Sequence, residues 1–392
     1  MKELNQLPPP GADAQAHSDA LMQQLRRTIA DAGGWISFAR YMEEALYTPG
    51  LGYYSGGSRK FGAEGDFITA PEISPLFGAA LAAQVAQVMS LSARHLIEVG
   101  AGTGALAADL LTALEASDML PDSYDILELS GELRERQLQT LQARVPHLAA
   151  RVRWLDALPA SFAGCVVANE VLDVMPVHCL VWRDGTCLER GVSLADGQLV
   201  WAEKPLDAKL QAAAQALPVH ISGPDEYVSE ICMASRAWLG EWARSLQCGA
   251  LLLIDYGYPQ AEYYLPTRST GTLQCYYRHR AHTDLFLWPG LNDITSFVDF
   301  TATAEAAFEA GLEVLGYTTQ ASFLVNCGVL QLLEKRGPSD TGDYLRAARA
   351  LQRLIGPHEM GELFKVLAVG KRLAGREEPL LGFTRGDRTH AL

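Results

Sequence analysis

The stretch HLIEVGAGTGALAADLL, residues 95–111, decides the fold. Its first five residues are mostly apolar and predict a buried strand, which runs directly into Gly100, Gly102 and Gly104. The leucines that follow recur at helical spacing and predict an amphipathic helix. A strand, a glycine-rich bend and a helix in this order are typical of the first βα turn of a doubly wound sheet.

Outward from this stretch, apolar runs continue to alternate with helical patterns. After the first strand and helix, the sequence predicts strands at 124–129, 151–155, 164–169, 250–257, 313–325 and 363–371, and helices at 131–143 and 230–246. Short β-rich runs separated by helices indicate parallel βαβ units. We therefore expect an α/β fold with a Rossmann-like sheet and helices on both of its faces.

The rest of the chain is divided around this core. We expect an N-terminal helical and loop extension that covers the site (1–90), the first part of the core (91–176), an inserted substrate module (177–246), the remainder of the core (247–376) and a loose tail (377–392). Within the insertion, WRDGTCLERGVSLADGQLVWAEK (182–204) predicts a β-hairpin.

Composition limits the possible partners. The 32 basic and 46 acidic residues give a net charge of -14, which disfavours nucleic acid as a substrate. Seven cysteines without a C-x-x-C pair indicate reduced thiols in a cytosol-like compartment. We find neither a signal sequence nor an apolar run of membrane-spanning length, so the expectation is a cytoplasmic protein without membrane insertion.

The glycine bend predicts a nucleotide site, because glycine lets the backbone approach a ligand and the helix N-terminus offers unpaired N–H groups. Glu128, at the end of the next strand, can accept hydrogen bonds from both ribose hydroxyls. Gly100-x-Gly102-x-x-Ala105 also fits an NAD(P) fingerprint, and a glycine-rich turn that binds nothing is the structural alternative. Glu98 favours S-adenosylmethionine, whose amino-acid part is cationic, since the same charge would repel a pyrophosphate.

Further candidate residues follow other strands. Asp156 can accept from the adenine amino group, or it is a solvated loop or capping acid. Asn169, Glu170 and Asp173 lie beyond the strand at 164–169, where ligands gather in doubly wound sheets. If the segment turns helically, the acids at i and i+3 share one side and could grip a guanidinium. Capping a helix is their alternative role.

The loop GDFITAPEIS (65–74) contributes acids and hydroxyls around a proline, namely Asp66, Thr69, Pro71, Glu72 and Ser74. We expect a wall or lid over the cofactor, although Ser74 before a proline is also an ordinary helix cap. Asp255 either faces the site or makes a structural hydrogen bond. His279 and His282 are expected on a surface loop, and no metal is predicted.

The chain resembles the MidA-type methyltransferases, a family that includes the mitochondrial complex I assembly arginine methyltransferase. The matching text covers about residues 37–371 and consists of SFARYMEEALYTPGLGYYS, FGAEGDFITAPEISPLFG, IEVGAGTGALAADLL, ANEVLDVMPVH, LLLIDYGYP, GTLQCYYRHRAHTD, DITSFVDFTA and FKVLAVGK. This sequence departs from the family by LELS at 127–130 in place of acid-proline-serine, and by the lack of a transit peptide. The second departure indicates a bacterial cytoplasmic member.

The resemblance implies a class I methyltransferase core with an inserted, largely helical substrate module, and S-adenosyl-L-methionine as cofactor. It also implies an arginine side chain of a partner protein as substrate, which would connect the enzyme to respiratory-complex assembly. By motif match, the loop residues Asp66, Thr69, Pro71, Glu72 and Ser74 carry over as neighbours of the cofactor. Gly100, Gly102, Gly104 and Glu128 carry over as cofactor contacts, and Asn169, Glu170 and Asp173 as the reaction site. A non-catalytic assembly chaperone that binds the cofactor and an NAD(P)-dependent oxidoreductase stay as alternatives, and an oligomer is possible.

Overall fold

The computed structural model describes residues 7–56, 68–219, 226–338, 341–375 and 378–392. Its helices are α1 (Ala12–Asp31), α2 (Phe38–Tyr47), α3 (Ala70–Ile73), α4 (Pro75–Ser90), α5 (Ala105–Ala116), α6 (Gly131–Arg144), α7 (Ala208–Gln215), α8 (Met233–Ser245), α9 (Gln260–Tyr263), α10 (Phe300–Glu309), α11 (Gln320–Asn326), α12 (Val329–Glu334), α13 (Gly342–Ile355) and α14 (Met360–Leu363).

Its strands are β1 (Trp35–Ser37), β2 (His95–Val99), β3 (Ser123–Leu127), β4 (Val152–Leu155), β5 (Phe162–Asn169), β6 (His178–Arg183), β7 (Thr186–Ala195), β8 (Gln198–Pro205), β9 (Tyr227–Ile231), β10 (Leu246–Tyr258), β11 (Gln274–Tyr277), β12 (Arg280–His282), β13 (Asp293–Thr295), β14 (Val298–Asp299), β15 (Glu313–Thr319) and β16 (Phe364–Lys371).

The chain divides into two compact units, each built from separate stretches. The accessory unit consists of residues 1–67, 173–235 and 260–297, and the core unit of 68–172, 236–259 and 298–392. This division differs from the segments expected from sequence, because residues 68–90 lie in the core unit and 260–297 in the accessory unit.

The core unit contains one large sheet with the order β15-β16-β10-β5-β2-β3-β4, and β14 pairs with the end of β10. From β10 to β4 the pairs are parallel, whereas β16 runs antiparallel to both of its neighbours. From β2 the chain first moves outward through β3 and β4 and then returns to β5 on the other side. This reversal makes the gap between β2 and β5 a topological switch point, and the predicted Rossmann-like sheet is confirmed.

Helices of small and apolar residues cover this sheet. Gly78 of α4 lies so close to α5 that an added Cβ would stand 2.5 Å from the Cβ of Asp109, which explains the run of alanines and glycine in this helix. The Ser74 hydroxyl caps α4 by accepting from the backbone N–H of Leu76 at 3.2 Å. Ser74 therefore has the helix-capping role that was its alternative interpretation.

The final residues are not a loose tail, contrary to the expectation for 377–392. Leu380 is fully buried and Phe383 is 2% exposed, packed against Phe323 with ring centroids 5.6 Å apart. The backbone N–H groups of Leu381 and Gly382 donate to the side chains of two glutamines in α4, at 2.7 and 2.8 Å. A loose tail was expected here, but these apolar side chains complete the core.

The accessory unit contains two antiparallel sheets. The larger has the order β1-β7-β6-β9 with β8 on β7, and the smaller has the order β12-β11-β13. The β7–β8 hairpin confirms the turn predicted from the 182–204 text. The largely helical insertion implied by the family resemblance is wrong over residues 178–205, which form three strands. Their alternating polar and apolar residues suit a half-buried sheet.

Across the described ranges, every helix is too short or too polar to traverse a lipid bilayer.

Candidate functional site

The glycine bend lies at the carboxyl end of β2, at the switch point of the sheet. Gly100, Gly102 and Gly104 all have left-handed backbone, with φ of 64°, 51° and 81°, a conformation that glycine adopts without a steric penalty. A Cβ on Gly104 would stand 3.0 Å from the Cα of Gln137, and one on Gly100 would stand 3.2 Å from the side chain of Val171. The bend is thus packed between α6 and the segment after β5.

Glu98 lies in β2 immediately before this bend and is 2% exposed. Its Oε2 accepts a hydrogen bond of 2.5 Å from the Tyr124 hydroxyl. Burial raises the pKa of the Glu98 carboxyl to about 7, against the lowering effect of that hydrogen bond, and Asp109 and Glu128 raise it further. A cation bound beside Glu98 would favour its charged form.

Glu128 follows β3 and is 8% exposed. Its Oε1 accepts from the backbone N–H of Ser130 at 2.9 Å, and its Oε2 accepts from the Gln137 amide at 3.1 Å. Burial raises the pKa of this carboxyl, although both hydrogen bonds favour the charged form. Because each carboxylate oxygen has a second lone pair, Glu128 retains acceptor capacity for two hydroxyl groups.

Gln137 is a residue that the sequence motifs did not single out. It lies on α6, is fully buried, and donates through Nε2 to the carbonyl of Gly102 at 3.2 Å as well as to Glu128. Its Oε1 accepts from the indole N–H of Trp154 in β4 at 2.8 Å. The Gln137 side chain thus joins the glycine bend, Glu128 after β3, and β4. A polar residue on the buried stripe of α6, between Leu133 and Leu141, was the available signal.

Asp156 extends from the end of β4 with its side chain 90% exposed and bonded to Arg134 at 2.7 Å. Arg134 also donates to the backbone carbonyls of Glu128 and Leu155, at 2.7 and 2.9 Å, and so ties the ends of β3 and β4 together. This placement matches the solvated-acid alternative. A contact of Asp156 with adenine stays a prediction.

Asn169 and Glu170 lie at the carboxyl end of β5, beside the glycine bend. Glu170 has a left-handed backbone with φ of 54°, and its Oε1 accepts from the Asn169 amide at 3.1 Å and from the backbone N–H of Ala70 at 3.4 Å. The Oδ1 of Asn169 is buried and has no hydrogen-bond partner in the described part of the chain. The β5 end therefore presents polar oxygens at the switch point, where ligands bind in such sheets.

No helix follows β5, so the helical turn that would place Glu170 and Asp173 on one side is absent. The role of these two acids as a substrate-site pair stays a prediction. Residues 170–177 form bends and turns, because the left-handed backbone at Glu170 ends the regular structure. Asp173 belongs to the accessory unit, where it is 4% exposed. The alternative that these acids cap a helix fails for the same reason.

Asp255 makes the structural hydrogen bonds that were its alternative role. It is completely buried, and its Oδ2 accepts from the backbone N–H groups of Val171 and Leu172 at 3.2 and 2.9 Å. Its Oδ1 accepts from the N–H of Tyr256 at 2.9 Å. Asp255 thus holds the turn that carries Glu170.

The loop before α4 contributes the remaining candidates. Thr69 begins α3 without a side-chain cap, Pro71 is buried within that helix, and Glu72 is partly buried in it. The N–H that Ala70 donates brings this helix to Glu170. Ser74 caps α4 as described above. Asp66 lies outside the described residues.

The two candidate histidines differ in environment. His279 is exposed, as expected of a surface loop, but His282 is 2% exposed and its Nε2 lies 3.0 Å from the Oδ1 of Asn292. The surface-loop expectation is therefore wrong for His282. The described residues hold no group of three or more His, Cys, Asp or Glu side chains that could bind a metal ion.

Comparisons with known proteins agree with this geometry. Residues 79–318 match the sequence model of a family described as "Putative S-adenosyl-L-methionine-dependent methyltransferase". A crystal structure from Burkholderia thailandensis, bound to S-adenosyl-homocysteine, is 51% identical over 98% of this chain and 100% of that chain, with a TM-score of 0.93.

Curated relatives include the mitochondrial protein arginine methyltransferase NDUFAF7 of Danio rerio, which is 30% identical over 90% of each chain. The homologue of Drosophila melanogaster is 29% identical over 98% of this chain and 93% of its own.

Proposed function

Because the chain belongs to the MidA-type family of S-adenosyl-L-methionine-dependent methyltransferases, we propose that it methylates an arginine side chain of a partner protein. The cofactor, S-adenosyl-L-methionine, supplies a sulfonium methyl group.

The residues of the glycine bend fit this cofactor. A left-handed bend at the carboxyl end of β2 leaves little room for side chains at Gly100 and Gly104, which favours close approach of backbone N–H groups to a ligand. Glu128 offers a preorganised carboxylate to the ribose hydroxyls. Glu98 offers a buried carboxylate toward the cationic amino-acid part, and such a charge would disfavour a pyrophosphate.

The methyl acceptor is proposed to meet Asn169 and Glu170. Methyl transfer requires a nucleophile held at roughly 3–3.5 Å from the methyl carbon in the right direction, so positioning dominates. The Oδ1 of Asn169, which has no hydrogen-bond partner among the described residues, and the carboxylate of Glu170 can accept N–H groups from a guanidinium and orient its plane. Glu72 and the rest of α3 form the proposed wall on the other side.

The choice of arginine is supported by the curated relatives, whose names describe protein arginine methyltransferases of mitochondria. A respiratory-complex subunit is the partner that the family resemblance favours. The single observation that carries the proposal is the adjacency of the glycine bend and the Asn169–Glu170 pair across neighbouring strands, where Val99 pairs with Ala168.

The test is transfer of a tritiated methyl group from the cofactor into proteins of an extract from cells that lack this enzyme. We expect labelled methylarginine after acid hydrolysis, lost with Gly102→Val and reduced about 100-fold with Glu170→Ala. Glu132→Ala, at an exposed position of α6, is the matched control and should label normally.

Three outcomes would count against the proposal. Labelled protein in which the methyl group sits on a residue other than arginine would exclude the substrate. A Glu170→Ala variant that binds the cofactor and restores growth of a deletion strain, while wild-type protein labels nothing, would favour an assembly chaperone. Calorimetric titration in which NADH binds and S-adenosylhomocysteine does not would favour an oxidoreductase.

A further inference from the structure

Arg134 lies near the start of α6 and donates hydrogen bonds to the ends of two strands. Its Nε donates to the backbone carbonyl of Glu128, directly after β3, at 2.7 Å. Its Nη2 donates to the carbonyl of Leu155, the last residue of β4, at 2.9 Å, and to Oδ1 of Asp156 at 2.7 Å. The planar guanidinium of Arg134 therefore joins the carboxyl ends of β3 and β4.

The position of Arg134 does not favour the helix itself. α6 begins at Gly131, after the cap Ser130, so Arg134 belongs to the first four residues of the helix. The N-terminal end of a helix carries a partial positive charge, which disfavours a cation and favours an acid such as Glu132. Because α6 gains no electrostatic stability from this cation, the hydrogen bonds to the strand ends are what Arg134 contributes at this position.

Glu128 is held by the same helix through its side chain as well. The backbone N–H of Ser130 and the amide of Gln137 donate to its two carboxylate oxygens, at 2.9 and 3.1 Å. Burial raises the pKa of this carboxyl, whereas the hydrogen bonds from Ser130 and Gln137 and the charge of Arg134 lower it. Arg134 thus fixes the backbone of Glu128 and favours the ionised carboxylate, which is the stronger acceptor for hydroxyl groups.

We propose that Arg134 is a positioning residue for the nucleoside end of the cofactor. By joining the ends of β3 and β4, it directs the Glu128 carboxylate toward the two ribose hydroxyls. Arg134 acts through Glu128 and makes no contact with the cofactor itself. This inference rests on the proposed function, in which Glu128 accepts hydrogen bonds from the ribose.

The alignment of the carboxylate determines how strongly the protein prefers ribose to deoxyribose. A carboxylate that is ordered before binding can accept from two adjacent hydroxyls without a further loss of conformational entropy. If the end of β3 can move, the hydrogen-bond angles become less favourable and each hydroxyl contributes less to affinity. A change at Arg134 should therefore alter the preference for ribose, and not only the overall affinity.

The experiment uses the full chain and two probes, S-adenosylhomocysteine and its 2′-deoxyadenosyl analogue, titrated by calorimetry. The wild type should bind the first at least about 10-fold more tightly, because the analogue lacks one hydroxyl donor to a carboxylate. Arg134→Met removes the guanidinium and should reduce this preference to about threefold or less. The adenine and the amino-acid part are the same in both probes, so their contributions cancel in the ratio. Arg151→Met, at an exposed arginine before β4, is the matched control and should keep the wild-type preference.

Two further variants separate this role from charge and from folding. Arg134→Lys keeps the positive charge but not the planar fork of donors, and should lose the preference for ribose as Arg134→Met does. Asp156→Ala removes one acceptor of Arg134 at a side chain that is 90% exposed, and should lower the preference about twofold. A full wild-type preference in Arg134→Met or Arg134→Lys would overturn the role of Arg134. Should both of these variants fail to fold, an unchanged preference in Asp156→Ala would overturn it.

These titrations need no protein substrate, so their outcome is separate from that of the labelling experiment. If the preference for ribose depends on Arg134 but no methylarginine forms, the proposed function fails and the role of Arg134 stands. If methylarginine forms and Arg134→Met keeps the preference, only the role of Arg134 fails. Equal binding of the two probes to the wild type would remove the ribose contact of Glu128 and, with it, the role of Arg134.

Discussion

Cofactor affinity should rise with pH because of one buried carboxyl group. The pKa of Glu98 is about 7, so roughly a tenth of these groups are ionised at pH 6 and about three quarters at pH 7.5. If the ammonium of the cofactor binds only the ionised form, affinity for S-adenosylhomocysteine should increase about eightfold over this range. Glu98→Gln removes the titrating group and should flatten the profile.

The sign of the effect follows from linkage. The pKa of Glu98 is raised in the folded chain, from 4.5 to about 7. Its contribution to stability is therefore fully present below pH 4.5 and is lost as pH rises toward 7 and above. The upper bound is about 3 kcal/mol. A cation beside the carboxylate opposes this loss of stability. The cofactor-bound protein therefore becomes more stable relative to the cofactor-free protein as pH rises.

The assay is isothermal titration calorimetry with S-adenosylhomocysteine at pH 6, 6.5, 7 and 7.5. Wild type and Glu98→Gln are titrated with the same ligand. Any effect of the ligand's own ionisation on affinity is therefore the same in both proteins. Affinity of the wild type that changes less than about twofold would refute the reasoning, as would an equal slope in Glu98→Gln.

Three further changes test other parts of the account. Gln137→Met removes the hydrogen-bond partner of Gly102, Glu128 and Trp154. Calorimetry should show about 10-fold weaker S-adenosylhomocysteine binding. A loss of affinity no larger than that of the exposed control Gln139→Met would contradict this role of Gln137. Asp255→Asn replaces one of the two carboxylate oxygens that accept backbone N–H groups with an NH2 donor. It should lower kcat for methyl transfer about 10-fold while cofactor affinity stays within about twofold. An unchanged kcat would show that the Glu170 turn does not need this anchor. Phe383→Ala should lower the free energy of unfolding in urea by about 3–5 kcal/mol. The control Phe308→Ala, at a side chain 72% exposed, should change it by less than about 0.5 kcal/mol. Equally small effects of both substitutions would mean that the C-terminal segment is dispensable for stability.

The core sheet could be predicted because each of its elements is encoded locally. A strand was expected at 95–100 and a helix at 131–143, and the structure has His95–Val99 and Gly131–Arg144. The order of the strands follows from the rules for doubly wound sheets once these elements are recognised.

The accessory unit could not be derived in this way. It is assembled from three separate stretches, and its sheet pairs β1 with β7 across more than 150 residues of sequence. The local sequence pattern of a strand does not identify a partner strand that lies far away in the sequence. The C-terminal segment was misread for the same reason, since the core that buries Phe383 lies elsewhere in the chain.

The site was predictable where backbone conformation demands particular residues. The glycines and the acids at strand ends stand out in the sequence, but Gln137 and Arg134 act only because α6 docks against the ends of β3 and β4. For Asp173, the spacing of three residues from Glu170 would place both acids on one side only if a helix followed β5, and no helix is present there. The cytoplasmic location and the oligomeric state stay predictions.

The most direct test of the central claim is a crystal structure of this chain with S-adenosylhomocysteine. Both ribose hydroxyls are expected within hydrogen-bonding distance, about 2.6–3.2 Å, of the Glu128 carboxylate, and the amino-acid end of the ligand is expected at the bend from Gly100 to Gly104. A nucleoside bound elsewhere, or one whose ribose faces away from Glu128, would contradict it.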